Sequence, residues 1–171
     1  MTDARTSRDL QVRRSRRGLV LLWLLVLVIA VAFGAWYVTH PRSLPTPDDP
    51  LEVSAPLGER VYVGVYDPAA DGDRTLHISE VSVDVEGEAV VAVQVCREGA
   101  ISETTEPETF CSSLEDAANA TVAPGDSLVL EILEDEAGEA TIGPVQLSFR
   151  EGLQWDSQPV GPVVEATFVS R

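Results

Sequence analysis

The sequence contains no lysine and very few sulfur-containing or imidazole side chains. All 12 of its basic residues are arginine, and its 171 residues include only one methionine, two histidines and two cysteines. These counts exclude copper or haem sites built from Met and His, and zinc sites built from Cys and His clusters. The motifs G-x-G-x-x-G, G-x-S-x-G and H-E-x-x-H and the P-loop are also absent. We therefore expect a protein without a cofactor and without enzymatic activity.

Positive charge is scarce in most of the chain. The formal net charge is -16, and the residues after position 38 hold six arginines against 26 aspartates and glutamates. Such a surface is repelled by nucleic acid and by anionic lipid headgroups, so we expect no nucleic-acid partner. The acidity suits a basic protein partner or divalent cations, and it equally suits solubility alone.

Residues 18–38, GLVLLWLLVLVIAVAFGAWYV, form the one long apolar run and contain no charged residue. At 1.5 Å per residue, a helix of this length spans about 31 Å, close to the thickness of the hydrocarbon layer of a bilayer. Trp36 and Tyr37 stand at one end, where amphipathic rings favour the headgroup boundary. The run predicts one transmembrane helix.

The charges that flank this helix predict its orientation. Six arginines precede it, whereas Asp48 and Asp49 soon follow it. By the positive-inside rule, the N-terminus faces the cytoplasm and the remainder lies outside the plasma membrane. Cleavage after the small residues Ala30 and Ala32 is the alternative, although the apolar run continues beyond them. Ala30 and Gly34 also have a spacing that permits helix dimerisation.

Composition divides the rest of the chain. Residues 1–17 are predicted to be a basic, disordered cytoplasmic tail. Residues 39–56 contain five of the 11 prolines and predict an extended spacer between the membrane and the domain. Residues 57–171 are sufficient for one domain.

Alternating apolar and polar residues indicate strands throughout 57–171. The pattern is clear at 60–66, 75–85, 88–97, 128–133, 140–150 and 163–169, with turn residues between these segments. The alternation slips at Ser79-Glu80, which predicts a bulge, and Glu86-Gly87 predicts a hairpin between the second and third segments. Ser112-x-x-Glu115 resembles a capping box and predicts a short helical turn. The fold class is all-β, an immunoglobulin-like antiparallel β-sandwich.

Cys96 and Cys111 are the only cysteines, and both lie on the predicted exterior side. We expect them to form a disulfide, because that compartment is oxidising. By the chain-entropy estimate, closing a loop of about fifteen residues contributes about 3 kcal/mol to the free energy of unfolding.

Two sets of residues are candidates for binding. Asp67, Asp71 and Asp73 form an acidic loop that could hold a divalent cation, but it lacks the calcium-loop pattern and also suits a solvated turn. Arg150 and Trp155 flank a Gly-containing turn, and if both are exposed they suit a hot spot for a protein partner. In the alternative interpretation, Trp155 folds into the core.

The segment TIGPVQLSFREGLQWDSQPVGP, together with the basic tail and the single apolar helix, resembles small membrane-anchored proteins of high-GC Gram-positive bacteria. This group has a similar GP…(Y/F)R(D/E)GlqW…GP segment and no assigned activity. The resemblance implies an envelope location and a β-sandwich, and it supplies no catalytic residue. We therefore expect an extracytoplasmic interaction module or an accessory subunit that binds another envelope protein. The alternative is a ligand- or cation-binding sensor.

Overall fold

The computed structural model describes residues 16–72 and 74–170. The chain divides into a helical unit that ends at Tyr37 and a β unit that begins at Val38. The predicted tail 1–17 lies outside the described residues, except that Arg16 and Arg17 form the start of the helix.

Helix α1 (Arg16–Val38) contains the predicted membrane span. Residues Gly18–Val38 have a mean hydropathy of 2.8, and none of the apolar window is buried in the protein. The helix is therefore long and apolar enough to cross a membrane, and its large side chains contribute to no protein core.

The β unit contains short strands joined by turns, as the alternating sequence predicts. The described strands are β1 (Leu51–Pro56), β2 (Val61–Tyr66), β3 (Leu76–Ser82), β4 (Val85–Glu86), β5 (Val90–Arg97), β6 (Glu103–Thr104), β7 (Ser113–Asp116), β8 (Thr121–Val122), β9 (Ser127–Leu133), β10 (Gly138–Ile142), β11 (Val145–Glu151), β12 (Gln154–Val160) and β13 (Val164–Val169). One 3₁₀ turn covers Pro107–Thr109.

These strands form three hydrogen-bonded sheets. Sheet 1 has the order β1-β13-β10-β4, sheet 2 the order β12-β11-β3-β8, and sheet 3 the order β6-β2-β9-β5-β7. Neighbouring strands are antiparallel except for β1 and β13, which pair in parallel. The predicted all-β, immunoglobulin-like sandwich is confirmed, with this parallel pair at one edge.

Alternation along the strands directs one set of side chains from all three sheets into a common core. Phe168 of sheet 1, Leu147 of sheet 2 and Leu130 of sheet 3 all belong to it. In sheet 3, the neighbouring residues Tyr62 and Val129 point to the opposite face and form a second cluster with the disulfide. Strands β2 and β9 are therefore buried on both faces, which explains their nearly continuous apolar sequences.

The disulfide between Cys96 and Cys111 is confirmed, with the two sulfur atoms 2.08 Å apart. It holds residues 98–112 over the outer face of sheet 3, where Ile101 packs in the second cluster. Gly64 permits this close approach, because a Cβ atom at this position would overlap the carbonyl oxygen of Ile101. The helical turn predicted from Ser112-x-x-Glu115 is wrong, since these residues lead into strand β7, which pairs with β5.

The predicted bulge in β3 is confirmed, but the predicted hairpin is wrong. Glu80 pairs with Ser148 and Ile78 with Phe149, so Ser79 is the extra residue, and its hydroxyl donates to the Ser148 carbonyl at 3.0 Å. Strand β5 pairs with β7 and β9 of sheet 3 rather than with β3. The chain at Glu86-Gly87 instead crosses between sheets, because β4 pairs there with β10 of sheet 1.

The predicted spacer 39–56 does not extend freely from the domain. Its last six residues form β1, which pairs with β13 along its whole length. Leu44 is buried in the common core. The prolines hid a short period-two pattern in which Val53 and Ala55 are buried. An edge strand tolerates prolines at its ends, because its outer N–H groups have no ladder partner.

Candidate functional site

Strands β11 and β12 form a hairpin whose end contains the predicted contact residues. Arg150 and Trp155 are direct cross-strand partners. Both side chains are exposed, and Trp155 retains 63% of its accessible surface. The interpretation of Trp155 as a core residue is therefore wrong. We call residues 150–155 the hairpin tip.

Arg150 also lies beside strand β3 on its other side. It pairs with His77, which in turn pairs with Thr121 of β8. The His77 ring nitrogen Nδ1 lies 2.9 Å from the Thr121 hydroxyl oxygen. Trp155, Arg150, His77 and Thr121 thus form one row across sheet 2, and His77 fills an exposed polar strand position.

A buried arginine holds the base of the hairpin tip. The side chain of Arg74 is only 3% exposed, and it binds Glu151 in a two-pronged arrangement, with its closest oxygen 2.6 Å from Nη2. Nη1 donates to the Asp71 carboxylate at 2.9 Å. The same guanidinium donates to the carbonyls of Arg42 and Ser43. Arg74 therefore connects the hairpin to the chain segment that follows the helix, and we call this set of contacts the Arg74 clamp.

The electrostatics of the clamp favour the charged form of Arg74. Burial alone would lower the pKa of Arg74, but its hydrogen bonds to Glu151 and Asp71 outweigh that effect and raise the pKa above its ordinary value. Tyr66 donates its hydroxyl to Asp71 at 3.3 Å. Burial raises the pKa of Tyr66 well above its ordinary value; Arg74 opposes this rise, and Asp71 adds to it. Tyr66 consequently remains a neutral donor to the clamp.

Residues 40–45 run beside the exposed edge of β12, and we call this segment the strap. Gln154 donates its side-chain amide to the carbonyl of His40 at 3.1 Å, and Gln158 accepts from the backbone N–H of Leu44 at 2.8 Å. The N–H of Gly161 donates to the carbonyl of Pro45 at 3.0 Å. The strap thus covers the edge strand β12, the kind of open edge at which other chains can pair.

Asp67 and Asp71 of the predicted acidic loop accept hydrogen bonds from within the protein. Asp67 accepts a hydrogen bond from the backbone N–H of Ala69, as in an Asx turn. Asp71 is engaged by Arg74 and Tyr66. Asp73 lies outside the described residues. Within residues 16–72 and 74–170, no group of three His, Cys, Asp or Glu side chains is arranged to hold a metal ion.

The sequence reading missed two features of the β unit. One is the clamp, whose only signal is an arginine within the acidic run DPAADGDR. The other is a groove of about 390 Å³ on the exposed face of sheet 1, lined by Glu52, Glu139 and Glu165. Its signal was a repeated Glu-x-Ser/Thr pattern in β1, β10 and β13. Glu52 and Glu165 are neighbours in the parallel pair, an arrangement of like charges that destabilises a sheet.

No protein-family model and no curated protein matches this sequence.

Proposed function

We propose that this protein is a membrane-anchored interaction module that binds another envelope protein as an accessory subunit. The observation that carries the proposal is the pairing of exposed Arg150 with exposed Trp155 on a hairpin that the Arg74 clamp holds in place. Tryptophan and arginine are the residue types most enriched at binding hot spots. A surface that is already ordered loses little conformational entropy on binding.

The free charge of Arg150 can contact a single acidic or carbonyl group of a protein partner. Arg150 has no ion-pair partner among the residues that the structure describes, whereas Arg60, Arg74 and Arg97 are each paired with carboxylates. Its guanidinium is therefore available to a carboxylate or a backbone carbonyl of a partner. In an otherwise acidic domain, this exposed cation gives the surface specificity.

The location belongs to the same proposal. A single apolar helix and the excess of arginine before it support a plasma-membrane protein with its N-terminus inside and its β unit outside. The disulfide supports an oxidising compartment for the β unit. Such an arrangement places the Arg150–Trp155 pair among the exterior parts of other membrane proteins.

The experiment is cross-linking in native membranes, followed by capture on a C-terminal tag and mass spectrometry. We expect the wild-type chain to capture one envelope protein reproducibly and the Arg150→Ala/Trp155→Ala variant to lose it. Val90→Ala/Val169→Ala is the matched control, because it removes two exposed apolar side chains elsewhere on the domain and should retain the partner. Equal capture by both variants, or a large fall in the melting temperature of the Arg150→Ala/Trp155→Ala protein, would refute the assignment of the surface.

A further inference from the structure

The hairpin tip contains an apolar residue that the protein fold does not explain. Leu153 is 80% exposed, more than any other large apolar side chain in the described part of the chain, and Trp155 lies two residues away. Gly152 makes the turn with a positive φ of 59°, and Leu153 follows it at the end of the hairpin. An exposed leucine close to an exposed tryptophan is a candidate contact for a membrane or another protein.

The covalent chain limits how far this tip can lie from the membrane boundary. The helical unit ends at Tyr37, and the carbonyl of His40 accepts a hydrogen bond from Gln154, the residue next to Leu153. Three residues of fully extended chain cover at most about 11 Å. Each headgroup layer of a bilayer is roughly 5–7 Å thick. Three residues, one hydrogen bond and the Gln154 side chain therefore join the tip to the end of the helical unit, a short tether that allows the tip to reach the layer in which Trp36 and Tyr37 are expected to lie.

The charges at the tip suit lipid phosphates. Arg42 and Arg150 are both exposed, and neither has an ion-pair partner among residues 16–72 and 74–170. The domain as a whole is acidic and would be repelled by anionic headgroups. One arginine in the strap and one at the tip offset that repulsion locally, because interactions between exposed charges are screened beyond about 10 Å.

The Arg74 clamp fixes the tip relative to the strap. It joins the carbonyls of Arg42 and Ser43 to the carboxylate of Glu151, one residue before the turn. The strap therefore cannot separate from the tip without breaking a buried charge cluster.

We propose that the hairpin tip is a second membrane contact, in which Leu153 enters the outer headgroup layer and Arg42 and Arg150 face lipid phosphates. This inference rests on the membrane anchoring in the proposed function. It adds the height above the membrane at which the protein contacts its partner. Trp155 then lies at the lipid boundary, so its exposed ring meets a neighbouring membrane protein at headgroup height.

The test uses the full chain with Trp23→Phe and Trp36→Phe, which leaves Trp155 as the sole tryptophan. One copy per nanodisc is reconstituted in phosphatidylcholine and phosphatidylglycerol, with or without lipid brominated close to its headgroup. We expect brominated lipid to quench Trp155 fluorescence and to lose most of this effect with Leu153→Asp. Val90→Asp, a matched change at another exposed apolar residue, should leave the quenching intact.

Two results would overturn the proposal. The first is an absence of quenching of Trp155 in the protein that retains Leu153; a blue-shifted emission in that case indicates contact with protein instead of lipid. The second is equal quenching with Leu153→Asp and Val90→Asp. The first result needs no substitution at the tip, so it holds even if Leu153→Asp folds poorly. If Trp155 is quenched but the wild-type chain captures no envelope protein, the proposed function alone is refuted.

Discussion

Replacement of Arg74 by methionine should unfasten the strap and strongly destabilise the β unit. Methionine fills a similar volume but forms none of the hydrogen bonds to Glu151, Asp71, Arg42 and Ser43. The two carboxylates would then face each other without a counter-charge. Removal of one partner of a buried ion pair lowers the free energy of unfolding by about 3–5 kcal/mol, because the remaining charge is left without compensation.

The exposure of the partners places the expected loss at the lower end of that range. The side chains of Asp71 and Glu151 are 22% and 27% exposed, so water can solvate them partly once the guanidinium is gone. We expect a loss of about 3 kcal/mol in the free energy of unfolding. For a domain of this size, that corresponds to a fall of roughly 10 °C in melting temperature.

The assay is thermal unfolding of the full chain in detergent micelles, monitored by far-UV circular dichroism. Hydrogen exchange measured by mass spectrometry should also show faster exchange in the strap. Arg60→Met is the control, because its ion pair with Glu131 involves an arginine side chain that is 62% exposed. Such a surface pair contributes about 0–1 kcal/mol. A fall in melting temperature no larger than that of Arg60→Met, with unchanged exchange in the strap, would refute this reasoning.

Three further predictions concern boundaries, pH and packing. A fragment of residues 57–171 lacks β1 and the strap and should fail to fold cooperatively, whereas residues 39–171 should fold; circular dichroism distinguishes the two. Burial raises the pKa of Tyr66, so this tyrosine ionises at a lower pH in the unfolded chain than in the folded one. The free energy of unfolding should therefore fall above about pH 10. Denaturant titrations from pH 8 to 11 should show a smaller fall for Tyr66→Phe. Gly64→Ala should lower the free energy of unfolding by about 1–3 kcal/mol, because the added Cβ overlaps the carbonyl oxygen of Ile101. Gly138→Ala is the control, since its Cβ would enter open space, and it should leave the free energy of unfolding nearly unchanged. Chemical denaturation measures both values.

The elements that the sequence predicted well are those with a strong local pattern. The charge-free run 18–38 is a helix, and the alternating segments at 60–66 and 128–133 are strands within one residue of their predicted bounds. The bulge at Ser79 was also readable, because a single extra residue shifts every later side chain to the other face. The disulfide could be predicted because only two cysteines exist.

The errors came from non-local choices. The turn at Glu86-Gly87 could not reveal that β5 pairs with β9, since a turn signal specifies a change of direction and not a partner strand. The prolines of 39–56 hid β1, whose pairing with β13 depends on residues more than a hundred positions away. The Arg74 clamp likewise joins residues 42, 74 and 151, so no local pattern could have predicted it.

The central claim, a membrane-anchored domain outside the cell membrane, is tested most directly by paired C-terminal reporters on the full chain. Alkaline phosphatase is active only in an oxidising exterior compartment. Green fluorescent protein shows the opposite behaviour: it fluoresces when it stays in the cytoplasm and is dark when it is exported unfolded through the membrane. The account predicts an active phosphatase fusion and a dark fluorescent fusion, both in the membrane fraction. A fluorescent cytoplasmic fusion with inactive phosphatase would contradict it.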